Sequence, residues 1–145
     1  MSMHPPQANL SRRRSEPEAF RARNLSVSMT VKDLDSSVDW YCHAIGFVVD
    51  KSYEREGHTS GVVLKAGAVR ILLNQDDGAK GERVKGAGMS LHFTTVQDVD
   101  VLAERIKAEG WSLETEPTDM PWGARSFRVR DPDGFMLAIS SERAP

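Results

Sequence analysis

The sequence has a single cysteine, no long apolar run and almost no net charge, and each of these shortages excludes a class of protein. Cys42 alone cannot form an internal disulfide, which is typical of a reducing compartment, so we expect a cytoplasmic protein. No apolar stretch approaches the roughly 20 residues of a membrane-spanning helix, and the N-terminus lacks the apolar core of a signal peptide. The formal net charge of −2 gives no reason to expect nucleic acid or an anionic membrane as a partner.

The chain of 145 residues is long enough for one domain or for two small fused halves. Residues 1–23 are rich in Pro, Arg and Ser and show no periodicity, which predicts a flexible tail. Apolar residues begin to alternate with polar ones just after this segment. We therefore predict that the folded domain covers residues 24–145.

The first half of the domain reads as a strand, a helix and three more strands. The first strand alternates Val27, Met29 and Val31 with hydroxyl side chains, the pattern of a half-buried strand. Asp33 or Asp35 is the expected helix cap, and Gly46 is the expected helix end. Further strands are predicted from residues 47 to 55, 61 to 64 and 68 to 74, followed by a polar loop.

The second half repeats this order of elements. A strand is predicted over residues 89–95, a helix from Val99, and another strand over residues 111–116. Residues 31–35 (Val-Lys-Asp-Leu-Asp) return as residues 96–100 (Val-Gln-Asp-Val-Asp), an offset of 65. Two last strands flank the turn Asp131-Pro132-Asp133-Gly134, in which Gly takes the positive-φ position. The pattern is an internal duplication of strand–helix–three strands, βαβββ, over residues 24–75 and 88–142.

Two βαβββ modules, a helix that ends in Gly followed by an aromatic residue, and Arg-Asp-Pro-Asp-Gly-Phe at residues 130–135 resemble the glyoxalase / bleomycin-resistance / extradiol-dioxygenase superfamily. Its members are also called vicinal oxygen chelate (VOC) proteins. The resemblance implies an α+β fold in which two βαβββ modules in tandem supply mixed, curved sheets that form a half-open barrel with the helices outside. It also implies a homodimer.

The family's enzymes hold a divalent metal with His, Gln or Glu on the inner strands, and this chain lacks those residues at the matching positions. The first strand offers Ser26, and the fifth offers Ser90, or Leu91 if the strand is one residue longer. The last strand offers Ala138 where a metal enzyme carries Glu, and the fourth strand, around residues 70–73, has no carboxylate. Such cations need carboxylate oxygen or imidazole nitrogen, so we predict no metal and no other cofactor.

Without metal ligands, the inner surface is expected to be rich in hydroxyl groups, to have Arg70 as its one candidate charge, and to bind a small molecule. His92 is the one inward-facing residue with catalytic potential, either as a general base or as a hydrogen-bonding part of the cavity wall. Trp122 lies between Pro121 and Gly123 and would either stack on a flat ligand or pack at a dimer interface or sheet edge. The predicted ligand-binding residues are Ser26, Ser28, Thr30, Arg70, Ser90, His92, Trp122 and Ala138.

Three functions are compatible with these residues. The leading hypothesis is a metal-independent small-molecule-binding protein of the bleomycin-resistance type, which sequesters an aromatic or planar compound as antibiotic-resistance proteins of the family do. The alternative is an enzyme, a lyase, isomerase or dioxygenase-like protein with an atypical site that uses His92. The third is an accessory domain that contacts a partner through the Arg-rich tail.

Overall fold

The computed structural model describes residues 19–82 and 84–142. The first module comprises strand β1 (Val27–Val31), helix α1 (Leu34–Trp40), and strands β2 (Val48–Arg55), β3 (His58–Ala66) and β4 (Val69–Gln75). The second comprises β5 (Ser90–Thr95), helix α2 (Val99–Ala108), β6 (Thr115–Asp119), β7 (Arg125–Arg130) and β8 (Met136–Ser141). The predicted βαβββ order is confirmed in both modules.

Each module forms its own four-stranded mixed sheet. Sheet A has the strand order β1-β4-β3-β2 and sheet B the order β5-β8-β7-β6, so the two sheets have equivalent topology. In each sheet the first strand runs parallel to the last, and the remaining pairs are antiparallel. No strand is shared between the sheets, and the barrel that they outline is not closed. The architecture is the predicted α+β fold with two tandem modules.

Helix α1 is capped by Asp33, one of the two predicted caps, and α2 is capped by Asp98. The Asp33 side chain accepts a hydrogen bond from the backbone N–H of Ser36, and the Asp98 side chain accepts from Asp100 and Val101. These carboxylates satisfy N–H groups that the first helical turn leaves without a partner. Helix α1 continues as a π-helical turn over Tyr41–Ile45, which the side-chain spacing did not predict, and it ends at Gly46 with φ 109°.

One apolar core joins the two modules. It packs the helices against one face of each sheet, and aromatic side chains of the first module reach the second. Trp40 of α1 meets Trp111 edge to face at 5.9 Å, and Phe47 meets Phe93 at 6.0 Å. Trp40, Tyr41 and Phe47 are all buried, so this contact belongs to the core of the molecule.

The bounds of several strands differ from the prediction. Strand β3 is longer at both ends, and residues 111–114 do not form the strand predicted for them, since β6 begins at Thr115. The backbone N–H of Trp111 instead bonds the carbonyl of Ile106 and closes the end of α2, where the indole packs on Trp40. Tertiary packing therefore decides the conformation of this segment, although its alternation favours a strand.

Among the described helices, neither is long and apolar enough to cross a membrane. The predicted tail, residues 1–23, lies largely outside the described residues, and so do the last three residues of the predicted domain. Residues 19–26 precede β1 and contain no helix or strand.

Candidate functional site

The face of sheet B that points away from helix α2 carries three of the eight residues predicted for the site, Ser90, His92 and Ala138. We call it the open face of sheet B. The strand register shows which residues lie on this face. The alternate residues of β7 and β8 are buried in the core on the opposite face: Phe127, Val129, Leu137 and Ile139. The open face consists of Ser90, His92, Thr94, Ser126, Arg128, Arg130, Met136, Ala138 and Ser140.

Ser90 and His92 form a hydrogen-bonded pair at the edge of this face. Both residues lie on β5 with their side chains on the same side, and Ser90 Oγ lies 2.9 Å from His92 Nε2. The predicted inward orientation of both residues therefore agrees with the strand register, and the pair places a hydroxyl beside an imidazole. The hydroxyl can accept a hydrogen bond from the ring N–H or donate one to the ring nitrogen, depending on the tautomer of His92.

Ala138 forms the floor of the open face. It lies on β8 directly between His92 of β5 and Arg128 of β7, and it is only 3% exposed although both of those neighbours are exposed. A methyl group at this position leaves the space above it to the longer flanking side chains. Adjacent strands are about 4.8 Å apart, so His92 and Arg128 begin roughly 10 Å from each other across the alanine.

Arg128 lies on the open face and was not among the predicted site residues. Phe127 and Val129 alternate with polar neighbours, which correctly predicts that Arg128 faces away from the core. Only the position of β7 beside β8 puts that arginine opposite Ala138, and this pairing depends on the strand order of the whole sheet. The expectation of a surface with no charge other than Arg70 is therefore wrong for sheet B, because Arg128 and Arg130 both lie there.

The polar face of sheet A holds Ser28 and Thr30 as predicted. Asn74 of β4, paired in register with Thr30, donates a hydrogen bond from its side chain to Ser28 Oγ at 2.7 Å. Gly61 lies opposite Asn74, and a Cβ there would come within 3.1 Å of the amide oxygen. The absence of a side chain at residue 61 thus leaves room for the amide.

The remaining predicted residues lie apart from these pairs. Arg70 is near the start of β4, where its Nε donates to Asp50 Oδ2 at 3.1 Å, and this bond holds the pKa of the Asp50 carboxyl below its usual range. Ser26 precedes β1 and is exposed. Trp122 lies in the turn between β6 and β7 and is 53% exposed, so its indole is available to a ligand or to another protein surface.

Arg125, close to Trp122, is committed to carboxylates of the chain. Its guanidinium makes two hydrogen bonds to Asp100 of α2, at 2.8 and 3.0 Å, and one to Asp119 of β6 at 3.1 Å. These bonds raise the pKa of the guanidinium above its ordinary value. Arg125 is therefore a salt-bridging residue of the chain, and its guanidinium is occupied by Asp100 and Asp119.

The residues at the family's metal positions do not suit a metal. On β4 of sheet A, Arg70 and Leu72 face away from the core and provide no carboxylate. Ile71 and Leu73 point into the core. Ser90 and Ala138 supply one hydroxyl and one methyl group in sheet B. Throughout residues 19–82 and 84–142, no group of three or more His, Cys, Asp or Glu side chains is arranged to hold an ion.

A small cavity of about 220 Å³ opens beside Thr30, where β1 and β4 end. Its walls come from the loop after β4, and its lining is polar and charged: Thr30, Gln75, Asp76, Asp77, Ala79 and Lys80. This lining differs from the stacking surface expected for a planar compound. Of the predicted site residues, only Thr30 contributes to it.

Solved structures with the same fold share little sequence with this chain. TioX from Micromonospora sp. ML1 is 23% identical, with a TM-score of 0.66 over 83% of this chain and 98% of its own. A glyoxylase/bleomycin resistance protein/dioxygenase domain from Frankia sp. EAN1pec is 24% identical, with a TM-score of 0.69 over 86% and 94% of the two chains. A virulence protein from Salmonella typhimurium is 23% identical, with a TM-score of 0.65 over 85% and 98%. At this level of identity the likeness shows the fold alone.

No curated protein matches the chain. A family model does match it, over residues 24–139, from the start of the first predicted module to β8. The matched segment contains both βαβββ modules apart from the last two residues of β8, and it includes the Arg-Asp-Pro-Asp-Gly-Phe turn on which the resemblance rests. The chain belongs to the glyoxalase/bleomycin resistance protein/dioxygenase superfamily.

Proposed function

We propose that this protein is a metal-independent small-molecule-binding member of its superfamily, which takes a planar aromatic compound on the open face of sheet B. The observation that carries the proposal is the replacement of metal ligands by Ser90 and Ala138 on that face, with Arg128 beside the alanine. The fold retains the surface on which relatives place a metal, while the side chains suit an organic ligand.

The chemistry of the face supports an organic ligand. Ser90, Thr94 and Ser140 offer hydroxyl groups, His92 offers a ring nitrogen, and the small, 3% exposed Ala138 adds no long side chain between them. Ligand sites typically combine apolar area with a few polar groups that fix orientation. Trp122 is proposed as a stacking wall, since an exposed indole held in a tight turn offers rigid apolar area.

The first test is elemental analysis of chelator-treated protein together with thermal melting in added Mg, Mn, Fe, Co, Ni and Zn salts. We expect neither near-stoichiometric metal nor a metal-dependent rise in melting temperature, because binding to the native state must stabilise it. The same metal-free protein is then titrated with N-phenyl-1-naphthylamine, a neutral planar fluorophore, and saturable binding is expected. Tight stoichiometric metal, or no binding of any planar probe, would overturn the proposal.

The enzyme hypothesis is kept as a second candidate because of one contact. Ser90 Oγ and His92 Nε2 are within hydrogen-bond distance, as a general base and its proton donor must be. If His92 acts as a base on a bound substrate, His92→Ala abolishes turnover while planar-probe binding remains measurable. A His92→Ala protein that loses probe binding as well would favour a purely binding role for the imidazole.

The homodimer and the cytoplasmic location also belong to this proposal. A dimer is carried over from the family resemblance, and a reducing compartment is inferred from the lone Cys42. The Cys42 thiol is partly buried, and its pKa is raised by that burial and by nearby Asp39, which disfavours the reactive thiolate. A structural role for this cysteine fits both statements.

A further inference from the structure

We infer that the ligand carries an acidic group, and that Arg128 binds it above Ala138. The inference rests on the proposed function and names the class of compound, an aromatic acid with a carboxylate or sulfonate. It starts from a difference among the arginines of strands β4 and β7. Those near the predicted site have acidic or carbonyl partners, and Arg128 does not.

Three of these arginines are held by oxygen atoms of the chain. Arg70 is bound by Asp50, Arg125 by Asp100 and Asp119, and Arg130 by Glu114 and by the Gly134 carbonyl. Each of these pairs fixes a guanidinium and neutralises its charge locally. Among the described residues, the guanidinium of Arg128 has no hydrogen-bond or ion-pair partner, although it lies on the same strand as Arg125 and Arg130.

The position of Arg128 makes the free guanidinium suitable for a ligand. Its cross-strand neighbours are Ala138 on β8 and Thr115 on β6, and His92 lies one strand beyond the alanine. The segments of β5, β7 and β8 on this face contain no Asp or Glu, so nothing on these strands competes for the positive charge. An arginine fork binds a planar oxyanion through two parallel N–H···O bonds.

The flanking groups extend the interaction to the aromatic part of the ligand. Ala138 is only 3% exposed, so a flat ring would lie over the longer side chains that flank it while its acidic group points at Arg128. His92 and Ser90 lie on the opposite side and can hydrogen-bond a polar substituent roughly 10 Å from the arginine, two strand spacings away. A glutamate at residue 138, as in the family's metal enzymes, would occupy this space and pair with the arginine.

The test compares two probes with the same ring system. 8-Anilino-1-naphthalenesulfonate carries an acidic group, and N-phenyl-1-naphthylamine is its uncharged counterpart. We expect Arg128→Gln to weaken binding of the sulfonate about ten-fold or more, since charge-assisted hydrogen bonds are lost, and to leave binding of the neutral probe within two-fold. The matched control is Arg130→Gln, which removes an arginine from the same strand and face that is already paired, and it should change neither affinity more than about three-fold.

The possible results distinguish a failure of the role of Arg128 from a failure of the proposed binding function. Sulfonate affinity that is unchanged in Arg128→Gln, or that falls equally in Arg130→Gln, would overturn the role of Arg128 while the binding function stands. An equal loss for both probes in Arg128→Gln, with a lowered melting temperature, would also overturn it, because the arginine would then act on the fold. If the wild type binds neither probe, the proposed function itself fails.

Discussion

Asp131 is a buried carboxylate that holds together the turn between β7 and β8 and also bonds the other module. One of its oxygens accepts the backbone N–H groups of Asp133 and Phe135, and the other accepts the hydroxyl of Tyr41 at 2.8 Å. The side chain is 4% exposed. Burial raises the pKa of Asp131, and the hydrogen bond from Tyr41 offsets part of that rise. The pKa of the Tyr41 hydroxyl is likewise raised, by its own burial and by the neighbouring carboxylate.

Because its pKa is raised in the folded protein, Asp131 makes a contribution to stability that depends on pH. Between the ordinary carboxyl pKa of about 3.9 and the higher folded value, the folded protein keeps a proton that the unfolded chain has released. The contribution of Asp131 to stability is therefore fully present below the ordinary value and decreases as the pH rises through this range. We expect the free energy of unfolding of the wild type, relative to Asp131→Asn, to increase as the pH is lowered from 7 to 4, measured by urea denaturation at each pH.

A control for this pH series is Asp35→Asn, which removes an exposed carboxylate from the first turn of α1. A wild-type advantage over Asp131→Asn that stays constant, or decreases towards low pH, would contradict the assignment. The comparison uses differences between variants because other groups of the protein also titrate in this range.

Tyr41→Phe isolates the bond between the modules. The ring is fully buried and its hydroxyl has Asp131 as its partner, so the substitution leaves a buried carboxylate oxygen without a donor. Such a loss costs about 1–3 kcal/mol, and we expect that decrease in the free energy of unfolding. Ser112→Ala, which also removes a single hydroxyl, is the control, since Ser112 is exposed between α2 and β6 and should change stability by less than about 0.5 kcal/mol. Equal stability of the two variants would show that the bond contributes nothing.

At the scale of the elements, Gly86, in the segment between β4 and β5, lies close against Phe135 of the second module. Gly86 has φ +70°, and a Cβ added there would lie 2.5 Å from Cδ1 of the buried Phe135. Gly88, two residues later, has φ +77° with nothing within 4 Å of an added Cβ. The two positions share the strained backbone and differ only in the steric contact.

This pair gives a matched prediction. Gly88→Ala should lower the free energy of unfolding by about 1–2 kcal/mol, the cost of a left-handed conformation for a residue with a Cβ. Gly86→Ala should add a further 1–3 kcal/mol or so, because the core around Phe135 must shift. Urea denaturation of both variants measures the difference, and equal destabilisation would mean that Phe135 moves aside without cost.

Sequence patterns predicted most of the elements because local signals agree with tertiary packing there. Asp33, Asp98 and Gly46 are helix boundaries for local reasons, and the Asp131–Gly134 turn follows from its own residue types. The π-helical turn and the irregular residues 111–114 were not predicted, because they depend on contacts between modules, such as that of Trp40 with Trp111. For the site, alternation showed which side chains face away from the core. Arg128 was not predicted as a site residue, because its neighbours are set by the strand order of the sheet.

At the scale of the whole molecule, strand β2 is the surface to which we assign the expected homodimer. It lies at the edge of sheet A, every residue in it is exposed, and Val48, Val49 and Tyr53 are among them. An edge strand of this kind presents unpaired backbone groups and apolar area to a second copy. We expect light scattering to give twice the mass of one chain, and Val49→Lys to reduce it to that of one chain.

Val101→Lys is the control for the dimer, because Val101 is an exposed valine on α2, away from β2. The expected result is an unchanged mass for this variant. A wild type that is monomeric at high concentration, or a dimer that survives Val49→Lys, would contradict the assignment to β2.

The independence of the two sheets has a consequence for how the chain could be divided. Each sheet is complete within its own module, and the backbone passes between them once, through residues 76–89. A polypeptide severed near Gly78 would therefore lose no strand pairing in either half. Because the halves bury apolar side chains against each other, they should reassociate as a non-covalent complex, and the rate of recovery would depend on the concentration of both fragments.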